Sequence, residues 1–216
     1  MLLDGVIELL IIGICGSPKN EKSNTRYLLE KALDAARLHF EDNGVDSEAI
    51  LLNIADYEIH QCTGCDACVR QKPCPESEED DMPEIEKMLL KADGIIIAAP
   101  SYFTSVPGLI KDFIDRSRTL KMADHQLRNK LFGAITYAGL RYGGQEHVID
   151  MLNRYALGQG MIVIGALGSP VKHGTFGSGS MQTDEGGWRS AKSDELAIEG
   201  SELLGKRIAE LLIKMK

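Results

Sequence analysis

The sequence predicts an α/β fold: a parallel, doubly wound sheet of five strands. Two observations carry that prediction. Short apolar, β-branched runs alternate with stretches of helical period along nearly the whole chain. The clearest run, residues 94–99, is apolar without interruption, which suits a strand covered on both faces. No repeat and no linker breaks the alternation. Residues 1–216 therefore read as one domain, with a cysteine-bearing insertion at about 60–82.

The first strand is expected at 9–14. A helix over about 25–40 follows, with Leu29, Leu33, Ala36 and Phe40 on one face, and Asn43-Gly44 supplies the residue types preferred after a helix end. Residues 48–52 form a weaker strand. Asp81 or Met82 caps the next helix, with Pro83 near its first position and Ile85, Met88 and Leu89 facing inward. After the strand at 94–99 come a helix at 109–118, a strand at 131–137, a helix at 145–157 and a strand at 161–164. A stretch rich in glycine and serine, 173–187, then precedes a last helix at about 193–214. In the strand order 2-1-3-4-5 a crevice opens where strands one and three diverge. Ligand contacts are thus expected from the loops after Ile14 and after Ala99.

Hydrophobic residues make up 44% of the chain and charged residues 26%, as in ordinary soluble domains. A net charge of −8 argues against nonspecific nucleic acid and anionic membrane as partners. Residues 1–14 contain Asp4 and no basic stretch, so no secretory signal is expected, and the apolar run within them is too short to span a bilayer. Five cysteines, four of them clustered, do not resemble a secreted disulfide framework. A cytoplasmic location is expected.

The first crevice loop runs Cys15-Gly16-Ser17-Pro18-Lys19-Asn20-Glu21-Lys22-Ser23-Asn24-Thr25 and feeds straight into a helix. Free N–H groups and the helix dipole favour an anion there. The loop lacks both the Walker pattern and GxGxxG. Its hydroxyls, on Ser17, Ser23 and Thr25, with the Asn24 amide and Lys19, suit a single terminal phosphate such as that of FMN. The plainer possibility is a simple helix cap at Ser23 or Asn24, with Lys19 and Lys22 in solvent.

Cys62, Cys65, Cys68 and Cys74 fall within thirteen residues, spaced C-x2-C-x2-C-x5-C. The run C-x2-C-x2-C-x3-C-P ligates [4Fe–4S] clusters in bacterial ferredoxins, and here Cys74 is likewise followed by Pro75 after a longer gap. Zinc sites more often separate two C-x2-C knuckles by roughly a dozen residues or mix in histidine. His60, two positions before Cys62, fits that pattern poorly. The spacing favours a cluster and leaves zinc, redox-active thiols and a metal-free segment open. Cys15 reads as a buried small hydrophobe.

The second crevice loop, Pro100-Ser101-Tyr102-Phe103-Thr104-Ser105-Val106, with Lys111-Asp112-Phe113-Ile114-Asp115-Arg116 after it, resembles the signature of the NADPH-dependent FMN reductase family. Gly16-Ser17-Pro18 with Ser23-Asn24-Thr25 is similar to that family's phosphate loop, and residues 137–146 to its third flavin loop. With the cysteines and Asp80-Asp81-Met82, the resemblance is to the iron–sulfur flavoprotein branch and covers about residues 9–165. It implies a flavodoxin-like fold and a flavin-dependent oxidoreductase with no amino-acid nucleophile. FMN phosphate would rest on Ser17 and residues 23–25. Pro100–Val106 would wrap the flavin ring, while Ala138, Gly139, Gly143, Gly144 and Gln145 close its other side. The four cysteines would hold a [4Fe–4S] cluster, in a homodimer or homotetramer fed by a ferredoxin-like donor or NAD(P)H. A cluster-free NAD(P)H-dependent FMN or quinone reductase is the alternative. Lys111, Asp115 and Arg116 are expected in surface ion pairs or subunit contacts.

Overall fold

The computed structural model describes residues 9–19 and 21–216. Strands β1 (Leu9–Cys15), β2 (Ser47–Asn53), β3 (Gly94–Pro100), β4 (Leu131–Ala138) and β5 (Ile162–Val163) lie in the order β2-β1-β3-β4-β5, all parallel. Helices α1 (Asn24–Asp42) and α6 (Glu195–Met215) cover one face. Helices α2 (Met82–Lys91), α3 (Gly108–Arg116) and α5 (Gln145–Gly158) cover the other, and the short α4 (Arg118–Met122) follows α3.

The uninterrupted apolar run of β3 follows from this layering. Ile95, Ile97 and Ala99 enter the core under α2, α3 and α5, while Ile96 and Ala98 enter the core under α1 and α6. Each isoleucine so buried contributes on the order of 2 kcal/mol. Asn43 and Gly44, at φ +65°, end α1. Gly205 lets α6 approach α1 directly, because a Cβ there would overlap the Ala32 carbonyl oxygen.

Two elements differ from the sequence expectation. The helix expected at 109–118 is two helices that break at Ser117, whose Oγ donates back to the Ile114 carbonyl at 2.8 Å. A sixth strand, β6 (Gly177–Ser180), is present where only a glycine- and serine-rich stretch was expected. It runs parallel to β4 beside Ile135–Ala138, while β5 pairs only with Leu131 and Phe132. The fifth strand position is thus filled by two short pieces. The sequence Gly-Ser-Gly-Ser carries no β-branched or aromatic signal, and packing is the reason. A Cβ on Gly179 would lie 2.5 Å from Asp194 Oδ2 and 2.7 Å from Ala197 Cβ, so α6 can ride on this strand only if the face beneath it is glycine.

Candidate functional site

The loops at the carboxyl ends of β1, β3 and β4 meet at one rim of the sheet. Gly16 N–H donates to the Ala98 carbonyl at 2.7 Å, joining the first loop to the end of β3. Ser17, Ser23 and Thr25 are all buried at the start of α1. Ser23 is the helix cap: its Oγ accepts from Arg26 N–H at 3.1 Å. Ser17 Oγ accepts from Lys19 N–H at 3.2 Å, and the Lys19 side chain is exposed. Asn24 Oδ1 accepts from Ala191 N–H at 2.9 Å, so that oxygen ties the loop to the chain before α6. No acidic side chain stands in the first turn of α1, which leaves its positive end uncompensated by its own helix. Asn20, also in this loop, and residues 1–8 lie outside the described residues.

The second loop is a tight turn. Tyr102 N–H donates to the Ser105 carbonyl at 2.8 Å and Ser105 N–H to the Tyr102 carbonyl at 3.0 Å. Phe103 (φ 50°) and Thr104 (φ 64°) occupy the left-handed region, where a β-branched residue is rare and strained. The turn thrusts Phe103 wholly into solvent and leaves Tyr102 partly exposed, so neither packs in the core. Val106 and Ala138 face inward, and Pro100 ends β3. Ser101 Oγ donates to the Gly143 carbonyl, locking the second loop to the third. Gly144, at φ +87°, stands so close that a Cβ would lie 2.5 Å from Thr104 Cα. Gln145 Nε2 braces the third loop through the Leu140 and Arg141 carbonyls, at 2.9 and 3.2 Å. Gly139 and Tyr142 are exposed there.

A cleft of about 620 Å³ opens at this rim. Thr104, Gly144 and Gln145 line it as the sequence expects, together with Arg141. Its far wall is Ser178, Gly179, Arg189 and Asp194, from β6 and the chain leading to α6, which sequence reasoning missed. Only the proximity of a glycine-rich strand to the third loop could have flagged them. The Ser17–Thr25 group stands beside this rim rather than in the wall of the cleft. An Arg141–Asp184 ion pair at 2.8 Å links the third loop to the far wall.

The cysteine segment is almost devoid of regular structure, with one short 3₁₀ turn at Pro75–Glu78. Its staple is a buried ion pair, Asp80 with Arg116, whose side chains are 0% and 1% exposed. This corrects the surface role expected of Arg116; Lys111 and Asp115 do form an exposed pair, at 2.5 Å. Arg116 also donates to the His60 carbonyl at 3.1 Å and to Ser77 Oγ at 3.2 Å. Asp80 accepts from the N–H groups of His60, at 3.0 Å, and Met82, at 3.2 Å. One ion pair therefore holds both ends of the segment against α3. Burial pushes the Asp80 carboxyl up, but the Arg116 guanidinium and the two N–H groups outweigh it and hold it below the usual carboxylate range. From α4, Arg118 pairs with Asp66 at 2.8 Å and the Met122 carbonyl accepts from Gln71 at 2.7 Å.

Within this frame Cys62, Cys65, Cys68 and Cys74 line one narrow cleft with Arg116 and Arg118 and with the carboxylates Asp66, Glu76 and Asp115. None is disulfide-bonded. Among the described residues no three His, Cys, Asp or Glu side chains are gathered to grip a single ion. A tetrahedral zinc would need sulfurs about 2.3 Å from one shared centre. Four thiols on one cleft are a donor set of the kind that ligates iron–sulfur clusters.

The sequence profile of the NADPH-dependent FMN reductase family matches residues 9–175. An iron–sulfur flavoprotein of Archaeoglobus fulgidus is 40% identical over 201 residues, covering 93% of this chain and 94% of its own length. One of Methanocaldococcus jannaschii is 37% identical over 206 residues, covering 95% and 98%. Among solved structures, RosB with bound 8-demethyl-8-formylriboflavin-5'-phosphate superposes with a TM-score of 0.66 at 17% identity, over 95% of this chain and 81% of its own. An archaeal flavodoxin does so with 0.53 at 15%, over 95% and 99%. At such identities these structures speak for the fold alone, which is flavodoxin-like. The matched span takes in all three rim loops and the four cysteines, and on that ground the chain belongs to the iron–sulfur flavoprotein branch of the NADPH-dependent FMN reductase family, as a flavin-dependent oxidoreductase.

Proposed function

We propose that the rim holds FMN and that Cys62, Cys65, Cys68 and Cys74 hold a [4Fe–4S] cluster, passing electrons from a reduced ferredoxin-like carrier to a small acceptor. The observation that supports this most is that four cysteines, none of them in a disulfide, line one cleft. When bound, the flavin interconverts one- and two-electron chemistry and the cluster handles single electrons. The chain's own residues bind and orient. The N–H groups at the start of α1, with Ser17, Ser23 and Thr25, hold the phosphate. Gly139, Gly143 and Gly144 admit close backbone approach to the ring, and Tyr102 and Phe103 offer it an aromatic flank. The exposed Phe103, Tyr142 and Trp188 favour a homodimer or homotetramer in which another copy covers this rim.

Anaerobic purification followed by iron, sulfide and flavin analysis tests the reading. Cys65→Ala is expected to lose iron while keeping FMN, because the two groups use different loops. Unchanged iron in that variant rejects these ligands. Flavin without iron in the parent protein would instead favour a cluster-free NAD(P)H-dependent FMN or quinone reductase.

A further inference from the structure

We propose that Arg116 is a positioning residue that sets the reduction potential of the cluster, its Nε–H donating to the Cys74 thiolate and its charge partly balanced by Asp80. The inference rests on the cluster reading above and goes beyond it.

Arg116 is the largest fully buried side chain among the described residues. Its two terminal nitrogens are fully engaged, with Asp80, the His60 carbonyl and Ser77. Its Nε–H is buried with no hydrogen-bond partner among the described residues. Native proteins rarely leave a buried donor unmet, and such a group marks a functional contact when its acceptor is a bound species. The acceptor at hand is Cys74, which lines the same cleft as Arg116. A thiol is a weak acceptor, whereas a thiolate bound to iron is a strong one.

Stability alone accounts poorly for this arrangement. Replacing a buried ion pair with apolar groups is often neutral or favourable, so a mere staple for the segment would not require two charges here. Nor would it require arginine: lysine offers a point charge, while arginine can grip a carboxylate with one edge and still present Nε–H on another. Reduction of the cluster adds one electron and makes or breaks no bond to protein. A neighbouring cation and an N–H···S bond both favour the more negative, reduced form and raise the potential. Asp80 works in the opposite sense through the same guanidinium.

The test uses the anaerobically loaded protein, titrated with dithionite and followed by electron paramagnetic resonance, with resonance Raman spectra in light and heavy water. Iron and sulfide analysis of the parent protein comes first; absence of iron there defeats the cluster reading itself. With iron present, Arg116→Gln is expected to shift the potential downward and Asp80→Asn upward, each read on the fraction of the variant that retains iron. Arg116→Lys, which keeps the charge but not Nε–H, should fall between Arg116→Gln and the parent. One Fe–S(Cys) stretch should move in heavy water in the parent and not in Arg116→Lys. Packing damage alone would shift both potentials the same way, so shifts of one sign, or none, overturn the proposal. If Arg116→Gln fails to retain iron, the parent's heavy-water shift and the Arg116→Lys potential decide, and absence of both overturns it.

Discussion

A threonine at φ 64° beside a phenylalanine at φ 50° is an unlikely choice for a turn of this shape, where Asn-Gly would fit without strain. Each such residue costs on the order of 1–3 kcal/mol, and strain of this kind gathers at ligand clamps. Replacing Phe103-Thr104 with Asn-Gly is therefore expected to stabilise the flavin-free protein by on the order of 1 kcal/mol, after the added freedom of glycine in the unfolded chain is deducted. The same change should weaken FMN binding, since it removes an exposed aromatic from the rim. Calorimetry of the apoprotein beside a flavin fluorescence titration checks both halves, and tighter FMN binding would show that the turn is not a clamp. A second residue speaks through pH. Burial pushes the Glu86 carboxyl up, against the Thr119 hydroxyl and the Arg116 charge. Because its folded pKa exceeds the unfolded one, the ionised form carries a penalty. That penalty appears as pH rises past the unfolded value and is complete above the folded one. Glu86→Gln keeps an acceptor for Thr119 but cannot ionise. Its urea midpoint should exceed the parent's at pH 7, with the advantage shrinking below about pH 4; an advantage independent of pH would refute this cause.

Among the elements, α1 and α6 show most directly how a glycine can outweigh propensity. Alanine is the better helix former by about 1 kcal/mol, yet a Cβ at Gly205 would overlap a backbone carbonyl that cannot swing aside. Overpacking of that kind costs roughly 1–3 kcal/mol or more, so Gly205→Ala should lower stability overall, read as a reduced denaturation midpoint with an unchanged slope. How far each element could be read from sequence follows the same physics. β1, β3 and β4 were legible because burial on both faces writes an unbroken apolar run. β6 was not, because the packing of α6 on it requires glycine at 177 and 179, where a strand would otherwise carry apolar side chains. The break at Ser117 went unseen because residues 109–118 keep a helical pattern across it. The cysteines announced themselves by spacing, whereas Arg116 did not: an arginine in a helical pattern says nothing of a carboxylate 36 positions earlier. The rim loops were found through resemblance and loop chemistry, but the wall contributed by Ser178, Gly179 and Asp194 depends on tertiary contacts alone.

At the scale of the whole molecule, the sheet and the cysteine segment form two unequal units. The first rests on two apolar cores, the second on one buried ion pair and a few side-chain bonds. On the proposed reading, removing iron from the loaded protein with a chelator should therefore raise amide exchange across residues 60–78 while β1, β3 and β4 stay protected and FMN stays bound. Equal loss of protection in the strands would mean that the segment and the sheet unfold together. No helix among the described residues is long and apolar enough to cross a membrane. The divided outer strand has a consequence for how copies of the chain behave in crowded solution. A long, bare outer strand invites a neighbour to add its own, the first step toward fibrous aggregates. Here that margin is two residues, an excursion, then four. Neither piece is long enough to template a foreign strand. The excursion between them is a place where inserted sequence could be tolerated without shifting the register of the sheet behind it.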